Sequence, residues 1–268
     1  MTRWNEHAEY LTRYLKLDLE IQAVKFITDP ADVPADAVNA REQIGHLSLC
    51  QALAITKREG KTIYTTKYSE WCWAPLVSMG YVDCSPGSEA FAEISPLIGI
   101  QDQEEAKAFF ARFPMLPRDK YCGLLIGPAR TAAWEPDVFL INCDSNFQLR
   151  TLVGAVKFRT GKQLAASLDM IDSCIYTLFK SFLTKEYTFQ VPDIGEQERA
   201  LSGPHESILG VPAERMDELA DGCRHLEQGR IGYTDMQPQM LFDFDRPSFY
   251  NRIYEIWGLE QGKTWDRE

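Results

Sequence analysis

Apolar positions at Leu11, Tyr14 and Leu15, with charged residues between them, predict an amphipathic helix over Trp4 to Leu19. The run Ile21–Ile27 then predicts a strand, closed by Asp29–Pro30, and segment 31–38, with Pro34 and two aspartates, predicts a loop. A second helix is predicted from Asn39, a capping residue with Glu42 three positions on, to Glu59, where Gly60 stops it. Its apolar stripe is Ile44, Leu47, Ala52 and Ile55, and it sets His46 and Cys50, four apart, on one face.

The rest of the chain continues the alternation. Short strands are predicted at Lys61–Thr66, Cys122–Ile126, Val138–Ile141 and Tyr187–Val191. Helices are predicted at Glu70–Gly80 (broken by Pro75), Gln103–Phe113, Asn146–Val156, Leu168–Leu183, Ala213–Leu226 and Ser248–Trp257. Segment 87–99 reads as irregular or briefly helical, and 195–212 as a glycine- and proline-rich connection ending in a short apolar run. Interleaved short elements predict an α+β fold, with α/β as the alternative: a single domain over residues 1–268, in which a mixed sheet packs against helices.

Composition narrows the function classes. Twenty-eight Lys and Arg against 39 Asp and Glu give a net charge of −11. That balance disfavours a nucleic-acid partner and an anionic membrane surface, both of which need clustered cations. The basic run of Lys157, Arg159 and Lys162 reads as a solvated face. The N-terminus lacks the apolar core of a signal peptide, and no run approaches the ~18–20 apolar residues of a membrane span. The expectation is a soluble cytoplasmic protein, with no membrane partner. Its aromatic C-terminal helix would bury itself in its own core or in a second copy, as a homo-oligomer.

Candidate chemistry lies in four places. Cys50, Cys72 and Cys84, joined by Cys174, form a thiol set whose first spacings are 22 and 12 residues, and Trp71 and Trp73 flank Cys72 and exclude water from it. No Cys-x-x-Cys pair is present, so a zinc-ribbon or ferredoxin signature is absent. Buried thiols are the plain reading. A [4Fe–4S] iron–sulfur cluster on Cys50, Cys72 and either Cys174 or Cys84, or a single metal such as zinc, is the functional one. The second place is His46 with Cys50, as ligands or as base and nucleophile. In the third, Asn146 opens a helix whose first N–H groups suit an anion, with Arg130 and Arg150 as carboxylate clamps. The last is the turn Ser202–Glu206, which exposes His205 as a proton-transfer group. Glycine-rich dinucleotide, Walker, His-Glu-x-x-His and Gly-x-Ser-x-Gly patterns are all missing.

The AVKF strand, LCQAL around Cys50, EWCWAPLVSMG around Cys72, the block 127–153, the helix around Cys174 and the segment 202–216 together resemble the domain-of-unknown-function family numbered 169, found in archaea and bacteria. The resemblance spans nearly the whole chain. It implies a cytoplasmic, mostly anaerobe-associated protein in which cysteines at positions such as Cys50, Cys72 and Cys174 are typical. Many relatives carry an arginine in the region where this chain has Gly203–Pro204–His205. These features together predict an iron–sulfur enzyme of redox or dehydration type (an oxidoreductase or lyase) acting on a small anionic or hydroxylated substrate. In that reading His205 or His46 moves protons. The rival expectation is a non-catalytic sensor that binds a small molecule or a metal and has structural cysteines.

Overall fold

The computed structural model describes residues 2–168, 171–229, 246–259 and 264–265. The chain divides into two compact units, Met1–Gly232 and Tyr233–Glu268.

The first unit opens with α1 (Arg3–Leu15), β1 (Gln22–Ile27), β2 (Val38–Asn39), α2 (Ala40–Gln43), α3 (Leu49–Glu59), β3 (Ile63–Thr65) and α4 (Trp73–Ser78). It continues with α5 (Glu89–Leu97), α6 (Gln103–Arg112), β4 (Gly123–Pro128), β5 (Val138–Cys143) and α7 (Asn146–Thr160). A π-helical turn (Ile175–Phe179) runs into α8 (Lys180–Thr184), and β6 (Thr188–Gln190), α9 (Ile194–Arg199), β7 (Ser207–Pro212) and α10 (Met216–Gln228) complete it. In the second unit, β8 (Arg246–Pro247) pairs in parallel with β9 (Thr264–Trp265), and α11 spans Phe249–Trp257.

Seven strands form one mixed sheet in the order β2-β3-β4-β1-β5-β7-β6. Only the short β2–β3 pair is parallel; every other pairing in this sheet is antiparallel. This is the α+β arrangement the interleaved pattern predicts. Side chains alternate across the strands, so Ala23, Phe139, Ile141, Leu209 and Val211 pack under α1, α7 and α10. Val24, Phe26, Leu140 and Ile208 face the opposite layer of α3 to α6 and the π-helical turn. With helices on both faces, every residue of β4, β5 and β7 is buried, which is why their sequences are nearly unbroken apolar runs.

Several predicted elements are redrawn. The single helix expected over Asn39–Glu59 is two, because Asn39 caps only α2 and Gly45 then takes φ +109°. Ser48 starts α3 afresh through a capping box with Gln51. Pro75 does not break α4; it sits in the first turn, where its missing N–H costs nothing. Segment 195–212 holds α9 and the central strand β7, which the glycine and proline content disguised as a connection. The helix expected over Leu168–Leu183 begins only at Ser173, after Asp172 takes φ +70°, with 169–170 outside the described residues, and its middle widens into the π-helical turn. Gly210 of β7 lets that turn approach: a Cβ there would lie 2.3 Å from Thr188 Oγ1 and 2.5 Å from the Thr177 carbonyl oxygen. Thr188 Oγ1 in turn donates to that carbonyl at 2.7 Å.

Candidate functional site

The thiols come first, because most of the expected chemistry rests on them. All seven cysteines are free. Cys50, in the first turn of α3, lies beside Cys174 just before the π-helical turn. Cys72 stands at the N-cap position of α4 without a side-chain capping bond. Among the described residues, no group of three or more His, Cys, Asp and Glu side chains is placed to hold a metal ion. This overturns the iron–sulfur cluster expected on Cys50, Cys72, Cys174 and Cys84, the single-metal alternative, and the redox or dehydration chemistry built on the cluster. Burial also pushes the Cys72 thiol up to about 12 and Cys84 up to about 11, while Cys174, beside Cys50 and buried, stands well above its ordinary value. Thiols held protonated in this way are poor nucleophiles at neutral pH.

His46 does not join them. The break between α2 and α3 puts it on an exposed loop, off the helical face that carries Cys50, with Nε2 2.8 Å from Arg41 Nη1. Arg130 is occupied on the α1 side: Glu20 engages its Nε at 3.0 Å and its Nη2 as well, and Glu9 lies 3.4 Å from Nη1. Arg150 is exposed on α7 and donates to the Asn146 carbonyl at 3.3 Å.

Asn146 and His205 are brought together. Both line a cavity of about 410 Å³ at the end of the sheet where β5 finishes and β7 begins. Its polar side is Asp144, Ser145, Asn146 and His205; its apolar side is Leu149, Phe189 and Val191. Ser145 caps α7 by accepting from the Gln148 N–H, and the Asp144 N–H donates to Gln148 Oε1 at 2.8 Å. These bonds fix the helix start.

Beneath the His205 turn lies a buried ion network that the sequence did not single out. Lys57, on the last turn of α3, is 3% exposed and donates to Glu206 Oε2 at 3.0 Å, Ser202 Oγ at 2.9 Å and Asn142 Oδ1 at 3.5 Å. Arg58 Nη2 adds a contact to Glu206 Oε1 at 2.6 Å, and the Gly203 N–H reaches the same oxygen at 2.9 Å. Burial works against the Glu206 charge, but the Gly203 N–H, Lys57 and Arg58 outweigh it and hold the carboxyl below its ordinary value. Glu206 is thus an anchor that ties the turn carrying His205 to α3. Nearby Glu196, buried on α9, is pushed up to about 7 by desolvation, against the pull of Lys57. Glu70, whose carboxylate accepts the Cys72 and Trp71 N–H groups at 2.8 and 2.9 Å, is likewise raised to about 7 by burial. A buried lysine leaves no mark in a single sequence, because Lys57 and the exposed Lys61 look alike until the layers are stacked.

Residues 10–222 match the family model DUF169, described as uncharacterised ArCR, COG2043. The chain belongs to this family. No curated protein and no solved structure matches it. The DUF169 match covers the Asn146–His205 cavity, the Lys57–Glu206 network and six of the seven cysteines, Cys223 lying one residue beyond it. Among the described residues no helix is long and apolar enough to cross a membrane.

Proposed function

We propose that the protein binds a small polar molecule in the Asn146–His205 cavity and that His205 exchanges a proton with it. One observation carries the reading: two polar segments 59 residues apart in sequence, at Asn146 and at His205, line one cavity of a volume suited to a metabolite. The α7 N-terminus suits a carbonyl or carboxylate oxygen, and Asp144 suits a donor such as a hydroxyl or an amine. Leu149, Phe189 and Val191 offer a short apolar wall for the carbon skeleton. Glu206 takes no part in the chemistry, since Lys57, Arg58 and Gly203 occupy both of its oxygens; it positions the turn. Seven free thiols suit a reducing compartment, which supports a cytoplasmic location.

The test is an NMR screen of the full chain against small hydroxy acids and amino acids. With four histidines in the sequence, the His205 ring protons are assignable by comparison with His205→Gln. A ligand that shifts His205 together with the Ser145 and Asn146 amides, and whose binding is lost in Asn146→Pro but kept in Arg130→Gln, supports the reading. Shifts confined to other surfaces, or none from the panel, overturn it.

A further inference from the structure

At the opposite end of the sheet, where β1 and β3 finish and β4 begins, lies a second cavity of about 330 Å³. Tyr64, Tyr68, Tyr81 and Tyr121 line it, with Lys67 and Lys120 beside them and the half-buried Cys122 thiol among them.

Two glycines build it. A Cβ on Gly123 would fall 2.4 Å from the Tyr64 ring and 2.4 Å from the Thr65 carbonyl oxygen, so a side chain there would evict the tyrosine from the start of β4. With glycine in place, the Tyr64 hydroxyl reaches Cys122 Sγ at 3.6 Å. Gly80 takes φ +71°, and a Cβ on it would press within 2.9 Å of the Leu116 carbonyl oxygen. The chain entering Tyr81 therefore crosses directly over segment 116–118 and sets Tyr81 beside the turn that bears Lys120 and Tyr121. Edge-on contacts to Phe26 at 5.6 Å and Phe182 at 6.0 Å hold the Tyr121 ring.

The charges at this cavity run against those of the whole molecule. Lys67 Nζ lies 5.1 Å over the Tyr68 ring and Lys120 Nζ 5.2 Å over the Tyr121 ring, so both ammonium groups sit on the cavity's own aromatic walls. The one carboxylate in the lining, Asp119, lies 3.5 Å from Arg118. In a chain of net charge −11, this is a local excess of positive charge around an aromatic slot.

We propose that this cavity binds a planar aromatic carboxylate of one or two fused rings, with the ring among the tyrosines and the carboxylate held by Lys67 and Lys120. Its volume stands near the lower end of ligand pockets, which run from ~300 to ~1,000 Å³, and this suits one or two rings better than a dinucleotide. Aromatic walls favour a flat π-face over a saturated ring, and paired ammonium groups favour the anion over its amide.

The experiment titrates 2-naphthoate, its neutral isostere 2-naphthamide and the saturated anion cyclohexanecarboxylate into the full chain by calorimetry. Alkylation of Cys122 by N-ethylmaleimide, followed by peptide mass spectrometry, reports on the cavity. The expected result is that 2-naphthoate binds about tenfold or more tightly than either analogue and slows Cys122 alkylation severalfold at saturation. Replacing both exposed lysines (K67A with K120A) is expected to weaken 2-naphthoate about tenfold and to leave 2-naphthamide unchanged. Absence of 2-naphthoate binding at millimolar concentration, binding without protection of Cys122, or equal affinity for acid and amide would each overturn the proposal. Shifts of His205 by 2-naphthoate, with Cys122 unprotected, would place the acid in the other cavity and overturn it too.

Discussion

Lys57 Nζ lies 3.0 Å from Glu206 Oε2, with the two side chains only 3% and 8% exposed. A lysine from α3 and a glutamate from the turn before β7, 149 residues apart, thereby join two layers of the fold. Removing one partner of a buried pair leaves the other charge uncompensated, which costs about 3–5 kcal/mol. Arg58 also contacts Glu206, so Lys57→Met is expected at the lower end of that range, read as a lowered urea midpoint. The double variant Lys57→Met with Glu206→Leu should recover part of the loss. Because the Glu206 carboxyl is held below its ordinary value, its contribution is present above the unfolded pKa of about 4.3 and is lost as pH falls through the folded value.

Glu196 sets the opposite slope. Burial raises it from 4.5 to about 7, and one of its carboxyl oxygens, Oε2, has no hydrogen-bond partner. Below pH 4.5 the group is protonated in both states and carries no penalty. As pH rises towards 7 the unfolded chain releases the proton more readily than the native one, so stability falls. Glu196→Gln is therefore expected to match the parent in acid and to exceed it by roughly 2–4 kcal/mol at pH ~8. Denaturant titrations at several pH values measure this; equal slopes in both proteins would refute it.

Gly210 tests the π-helical turn. The methyl of Gly210→Ala meets Thr188 Oγ1 and the Thr177 carbonyl, so the variant should lose about 1–3 kcal/mol or more by overpacking. Gly161→Ala, at φ +73° but with nothing within 4 Å, should lose only about 1 kcal/mol from backbone strain. Urea unfolding of both variants gives the comparison.

The thiols should react in an order set by burial. Cys122 and Cys72 are half-buried, whereas Cys50, Cys84, Cys143, Cys174 and Cys223 are buried. Burial also pushes Cys143 and Cys223 up to about 12. Labelling of the native protein with N-ethylmaleimide at neutral pH should mark Cys122 first and Cys72 slowly, its thiol being raised to about 12 as well. The buried five should label only in denaturant. Peptide mass spectrometry at timed intervals reads the order.

By itself the sequence determined the elements whose signals are local. Periodicity gave α1, α6, α7 and α10 within a few residues, and unbroken apolar runs gave β4 and β5. The cap at Asn39 and the stop at Gly60 depend on neighbours within four residues, so they are written in the chain. Polar segments at Asn146 and His205 were legible as residue types suited to binding and proton transfer.

The tertiary structure decided everything that depends on which distant segments meet. It brought Asn146 and His205 to one cavity and sent Arg130 to Glu20 and Glu9. It set Cys50 beside Cys174 while leaving, among the described residues, no three ligand groups together, and so removed the expected cluster. It also buried Lys57 and gathered four tyrosines from three segments into one cavity with Cys122. The physical reason is common to all of these. A side chain's type fixes what chemistry it offers, but its charge state and partners follow from burial and packing, and those are set by how helix layers and strands stack.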